Sequence, residues 1–387
     1  MIDRPPTTGD RTIHHPSPGR RDQIAAPVCI PCRLPPIDAA VWHNDTMLIY
    51  AGIDEAGYGP MLGPLCVGCS VFTVDDADPA DGPPNLWERL DDVVTRGGRD
   101  ARRRIAVDDS KKLKGSNQAK AHPLRHLERG VLSFLSTRTS PEPGEPGERG
   151  HAPPATDDAL FALTGTDLPT TVATPWYQSD TPLPVAHDAD ALAIDAARLD
   201  RGMTAAGVRL IDLQCEAIDA GEFNRRLSAG SNKASINLDA VARHVVRIRA
   251  VSRAVDHAAV PRIICDRQGG RSHYRQWLQD CFPTASIRIL GETVSVSRYR
   301  LDDADGSFVI GFETGSEDRH LPIALASMTA KYLRELAMVR MNRFFKEHMP
   351  DLKPTAGYVL DGRRFVKEVA PVIETAGIDR LQFIRTS

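Results

Sequence analysis

Apolar residues fall into periodic runs from residue 47 onward and show no period before it. Residues 1–46 are rich in Pro, Arg, Asp and Thr, a composition that cannot bury enough surface to order itself. A disordered N-terminal extension is expected there. Residues 48–53 read as a buried strand, and 65–74 as a second one after a Gly/Pro-rich turn. Residues 75–105 read as an insertion holding a short helix at 86–94. A larger insertion spans 116–205, with helices expected at 122–135 and 188–206. Between those helices, Pro and Gly punctuate 138–156 and predict a flexible loop. A strand follows at 208–216. Leu238, Val241, Val245, Ile248 and Val251 then recur at three- or four-residue steps, which predicts a helix with one apolar stripe. Arg243, Arg247 and Arg249 fall mostly off that stripe. Ile263, Ile264 and Cys265 form a short buried strand that stops at Asp266. Strands run through 286–312, and helices are expected at 321–345 and 365–376. This order predicts an α/β domain over 47–387, a mixed sheet flanked by helices with a helical C-terminal region.

Composition adds limits. At 41 % hydrophobic and 26 % charged residues the chain has the balance of a water-soluble domain. A net charge of −3 gives no global basic field, so any nucleic-acid binding has to come from a local patch. Seven scattered cysteines fit a reducing compartment better than a disulfide framework. Cys29 and Cys32 form an isolated C-x-x-C without the second ligand pair that a zinc site needs. No apolar run approaches the roughly 18 residues of a membrane span, and the first residues lack a signal-peptide pattern. A soluble cytoplasmic protein is expected, with no membrane partner, acting as a monomer.

The chemistry concentrates where strands end. Asp54 and Glu55 stand where the first strand stops, followed by Gly57, Tyr58, Gly59 and Pro60. A bare Asp–Glu pair in a turn is ordinarily just solvated. Here the two glycines let backbone come close to a ligand without a side chain in the way. Asp266 closes another apolar strand, and Glu313, Glu317 and Asp318 precede the helix that begins near Leu321. Carboxylates gathered from several strand ends repel one another unless cations neutralise them, and oxygen ligands of this kind suit Mg²⁺ or Mn²⁺. The run Asp108-Asp109-Ser110-Lys111-Lys112-Leu113 reads either as a solvated charge run or as a phosphate-gripping loop with Ser110, Lys111 and Lys112 as donors. His244, His257, His273 and His320 are more simply surface or core residues, and Cys66 and Cys69 packing residues.

Gly52-Ile53-Asp54-Glu55-Ala56-Gly57-Tyr58-Gly59-Pro60 resembles the signature of ribonuclease HII. Asp109-Ser110-Lys111-Lys112-Leu113 resembles the second motif of that family, and Ile263-Ile264-Cys265-Asp266 the strand bearing its third acid. Residues 322–331, with Ala326-Ser327 and Ala330-Lys331, are similar to the helix after its fourth acid, and Gly357-Tyr358 to its late glycine–tyrosine. The motifs keep the family's order from about Met47 to the C-terminus, the insertions excepted. The resemblance implies a ribonuclease H-like sheet of about five strands. It also implies two-metal hydrolysis of RNA in RNA/DNA hybrids or of ribonucleotides in duplex DNA. Carried over, Asp54, Glu55, Asp266 and Asp318 become metal ligands, with Glu317 and Glu313 as alternates for the fourth. Gly57, Tyr58, Gly59, Ser110, Lys111, Lys112 and Tyr358 become substrate contacts. Tyr58 stands where the family carries arginine, and the histidine usual around the late glycine–tyrosine is missing, so the chain reads as a divergent member. Two rivals are another structure-specific nuclease on the same acids and a nucleic-acid-binding module without turnover.

Overall fold

The computed structural model describes residues 47–77, 82–98, 103–115, 121–138, 151–268 and 270–386. The expected N-terminal extension, the Cys29/Cys32 pair and residues 139–150 of the expected loop lie outside them.

Among the described residues nine strands are formed: β1 (Leu48–Ala56), β2 (Leu65–Val74), β3 (Val94–Thr95), β4 (Ile105–Ala106), β5 (Val208–Ile218), β6 (Arg262–Asp266), β7 (Ser286–Glu292), β8 (Val296–Asp303) and β9 (Gly306–Glu313). Seven of them make one sheet in the order β5-β2-β1-β6-β9-β8-β7, and β3 pairs with β4 apart from it. β1, β6 and β9 run parallel at the centre, and the remaining neighbours are antiparallel. The sheet is mixed and flanked by helices, as expected, but has seven strands where about five were implied. The excess comes partly from residues 286–303, whose alternation of apolar and charged positions suits a hairpin laid against β9.

Parallel strands need cover on both faces. One face packs on the helix Lys233–Val255 through Val241, Val245 and Ile248, the stripe expected from their spacing. Arg243, Arg247 and Arg249 of that helix are not simply solvated. Arg243 pairs with Glu216, Arg247 with Asp212 and Arg249 with Asp303.

The other face takes the helix Leu321–His348, buried nearly all round as far as Met341. It lies so close to the sheet that a Cβ on Gly52 would stand 2.3 Å from the backbone of Pro322 and Ile323. Only glycine fits at that contact. The outer side of this helix is covered by the two stretches read as insertions. Trp87, Leu132, Phe134, Leu160 and Trp176 belong to the same core as Leu325 and Met328. Polar ties fix the layer: Arg340 donates to Asp157 at 2.8 Å, and Glu128 accepts from Tyr332 at 2.9 Å. Breaking a buried ion pair of this kind costs about 3–5 kcal/mol.

Two helices differ from expectation. The first is only Leu86–Arg89, because the next residues turn so that Val94 can pair with Ile105. The C-terminal helix is two, Val359–Glu368 and Ala370–Thr375, broken before Pro371, which has no N–H to continue the ladder. Among the described residues, no helix is long and apolar enough to cross a membrane.

Candidate metal centre

The parallel register places three acids at the same end of neighbouring strands. Ile53 is opposite Cys265, so Asp54 and Asp266 exit side by side, and Asp266 is opposite Glu313. The carboxyl ends of parallel strands are where open α/β sheets place their ligand sites. Oxygens of Asp54, Asp266 and Glu317 lie within 4.8 Å of one another. Asp54 is buried, while Asp266 and Glu317 are half-buried.

Of the three candidates for the fourth acid, Glu317 is the one that stands with Asp54 and Asp266, while Asp318 and Glu313 lie with other partners. The turn Ser316–Asp318 carries both Glu317 and Asp318, and consecutive side chains diverge. Asp318 swings out to Lys112 at 2.5 Å with more than half its side chain exposed. Glu313, the other alternate, is taken up elsewhere: its carboxylate meets His320 at 3.1 Å, Arg319 at 2.9 Å and Arg298 at 3.4 Å. Burial works to raise it, but the His320 hydrogen bond and the two arginines hold it below the usual carboxylate range.

The clustered acids show the opposite behaviour. Burial pushes Asp54 well above the ordinary range, and the charges of Glu55, Asp266 and Glu317 add to it. Glu55 rises to about 7, through burial first and Asp266 next, with the Asn237 amide opposing. Asp266 and Glu317 are also raised, chiefly by burial. Four carboxyls held this way ionise together more readily beside a counter-charge. A hard divalent cation is what such an oxygen set fits. Supporting groups fix the cluster. Ser316 donates to Asp266 at 2.7 Å, and the Glu55 N–H to Asp54 at 2.7 Å. The Ser327 hydroxyl lies beside Asp54 and favours its ionised form.

The second motif divides its roles. Asp109 caps the short helix Ser110–Leu113, accepting from the Lys111 N–H. Lys111 lies within reach of the charges of Glu317, Asp54 and Asp266. Lys112 is turned to Asp108 and Asp318. Ser110, expected as a phosphate donor, is buried and bonded to Ser327 at 3.0 Å. That bond ties the second motif to the helix under Asp54.

The glycine turn adjoins the acids. Gly57 has φ +88, and a Cβ there would stand 2.5 Å from Arg334 Nε and 2.7 Å from the Pro64 carbonyl. A side chain is excluded by conformation and by space together. Nothing stands within 4 Å of a Cβ at Gly59, which is open to solvent. Tyr58 is partly buried, with Lys233 Nζ 4.7 Å from its ring centroid, and burial first, then the charge of Glu55, raises its hydroxyl. Tyr358 is 53 % exposed beside Gly357, whose carbonyl accepts the Met61 and Leu62 N–H groups at 2.8 and 3.2 Å. Arg364 pairs with Asp361 and Glu368 and has no part in the cluster.

The histidines are structural where buried: His244 bonds the Val67 carbonyl, and His320 bridges Tyr50 and Glu313. Cys66 and Cys69 are buried and unpaired. Sequence reasoning did not single out Ser316, Asn237 or Arg334, and it named Ser327 only as part of the Ala326-Ser327 pair.

Several solved structures are similar to the chain. One is the ribonuclease HII of Archaeoglobus fulgidus, solved in complex with PCNA: 15 % identity, 88 % of this chain and 94 % of that one covered, TM-score 0.35. Another is the ribonuclease H2 of Pyrococcus horikoshii OT3, at 14 % identity, 87 % and 92 % coverage and TM-score 0.37. The Bst ribonuclease HIII in complex with Mn²⁺ follows at 13 %, 87 % and 66 %, with TM-score 0.37. These three are a ribonuclease HII, a ribonuclease H2 and a ribonuclease HIII. No family model and no curated protein matches it.

Linkage gives the cluster a stability signature. A carboxyl raised from 4.5 to about 7 binds its proton more tightly in the folded state. Its contribution is therefore present at low pH and is lost as pH rises through that window. The Tm difference between wild type and Glu55→Gln in EDTA should move in the variant's favour between about pH 5 and 8. Added Mg²⁺ or Mn²⁺ should raise the wild-type Tm more at pH 8 than at pH 6, because the ion binds deprotonated acids. Melting curves on both proteins check this, and a metal shift equal at both pH values would remove the site from the explanation.

Proposed function

We propose that the chain is a divalent-metal-dependent endonuclease of the ribonuclease HII kind, cutting RNA in RNA/DNA hybrids or ribonucleotides in duplex DNA. The observation that carries this reading is the convergence of Asp54, Asp266 and Glu317 at the carboxyl ends of parallel strands. Glu55 completes the acid set and Lys111 supplies the adjacent cation. These four carboxylates would hold Mg²⁺ or Mn²⁺, two ions in the two-metal case, with Glu317 rather than Asp318 as the fourth ligand. Bound there, such ions polarise a phosphodiester and lower the pKa of an attacking water. The chain's own residues then bind and orient. Lys111 draws a phosphate to the acids, and the open Gly57–Gly59 backbone lets a sugar come close. Tyr58 and exposed Tyr358 flank that approach with rings able to pack on sugar or base. Ser327 and Ser316 keep two of the acids in position. A cytoplasmic monomer is the matching setting.

Three labelled duplexes test the reading: an RNA/DNA hybrid, DNA with one ribonucleotide, and all-DNA, each with Mg²⁺, Mn²⁺ or EDTA. Cleavage of at least one of the first two, abolished by EDTA, with all-DNA intact, is the expected result. Cleavage of all-DNA alone would favour the structure-specific nuclease. Binding without cleavage would favour the module without turnover.

A further inference from the structure

The glycine turn between β1 and β2 is held from beneath by two buried guanidiniums. Arg334, from the helix Leu321–His348, is fully buried and donates to the carbonyls of Leu62 at 3.0 Å and Ala356 at 3.2 Å. Arg385, in the segment after the helix Arg380–Phe383, is 4 % exposed. Its guanidinium donates to the Gly57 carbonyl at 2.7 Å and also to the Pro60 carbonyl. The backbone beside it is docked on the same turn: Ile384 bridges Leu62, and the Arg385 N–H donates to Met61 at 2.9 Å. Asn224 secures the segment through the Leu381 and Ile384 carbonyls at 2.7 Å each.

As a device for stability alone this arrangement is costly. Neither Nε nor Nη1 of either arginine has a hydrogen-bond partner. Burial and the neighbouring Arg334 charge bring Arg385 down to about 9. Apolar residues of similar volume commonly match or exceed such buried charges in stability. What an apolar chain cannot do is donate to two carbonyls of one turn, as Nη2 of Arg385 does. The consequence for the turn is geometric. A trans peptide points its C=O and N–H in opposite directions. With the Gly57 carbonyl drawn toward Arg385, the Tyr58 N–H faces away from it, beside open Gly59.

We propose that Arg385 is a positioning residue, whose guanidinium sets the backbone of the 57–62 turn so that the turn presents its N–H face to the nucleic acid. This rests on the ribonuclease reading above. Arg385 touches no substrate and acts through Gly57 and Pro60.

The test uses full-length Arg385→Gln and Arg385→Lys with two readouts, amide hydrogen exchange and metal-dependent cleavage of the three duplexes. Faster exchange confined to 57–62, about tenfold or more, with residues 48–53 unchanged, is expected for Arg385→Gln. Its kcat should fall by about tenfold or more with KM changed less than about threefold, as a displaced binding turn costs rate. Arg385→Lys keeps a charged donor on a shorter reach than Nη2 and should fall between. Wild-type exchange at 57–62, or faster exchange there with wild-type kcat, would overturn the proposal. So would global unfolding of both variants, which would make Arg385 a folding residue. If the wild type cuts none of the duplexes, the ribonuclease reading fails, while the exchange data still judge the clamp.

Discussion

Asp54→Asn and Asp266→Asn should each lower kcat on the order of 10³-fold while leaving the fold intact. Each substitution keeps the side chain's shape and removes one negative charge from a cluster in which burial and mutual repulsion already oppose ionisation. Folding therefore loses little, and the metal-free variants should melt at or above the wild-type temperature near pH 8. Catalysis loses a ligand that no neighbour can supply, because Glu313 is locked to His320, Arg319 and Arg298. Losing one preorganised electrostatic contact typically costs 10²–10³-fold, and a metal ligand belongs at the upper end. Steady-state rates and melting curves measured together decide it. Wild-type turnover in Asp54→Asn would refute the role assigned to it, and activity lost in step with a Tm drop of about 10 °C would point to a structural role.

The second large effect separates two neighbours. Glu317→Gln should reduce kcat about 10²-fold or more, whereas Asp318→Asn should change it less than about threefold. Glu317 stands with Asp54 and Asp266 in the cluster. Asp318 makes an ion pair in which both side chains are half-exposed or more, and such pairs are worth about 0–1 kcal/mol. The opposite ranking would restore Asp318 as the ligand and would mean that the 316–318 turn rearranges when the site is loaded.

This pair shows how far sequence could reach. The apolar runs leading into Asp54 and Asp266 were legible as strands, although β1 continues two residues past Asp54 to Ala56 whereas β6 stops at Asp266. The stripe of the Lys233–Val255 helix was legible as well. Glu317 against Asp318 was not, since a one-residue difference inside a 3-10 turn is decided by which side chain faces Asp266, and no periodicity records that. Ser110 misled because Ser-Lys-Lys reads as a donor set, whereas the hydroxyl is consumed by Ser327, distant in sequence and adjacent in space. The stretches read as insertions were underestimated. Their helices looked like additions to a compact domain, yet they supply the cover over the outer side of the Leu321–His348 helix. Arg385 gave no sign at all, because a lone arginine near the end of a sequence looks like solvent-facing charge.

The backbone contact at Gly52 has a bearing on how such a chain can diverge. Two positions after Gly52 comes Asp54, and a few before Pro322 comes Glu317, so the spot where helix and sheet touch lies almost beneath the acids. A single methyl group at residue 52 would have to wedge the two layers apart, and the carboxylates ride on those layers. The tolerance of the chemistry is thus set partly by an atom that is absent. Drift is free over the charged surface, yet it is barred at a position that takes no part in the reaction.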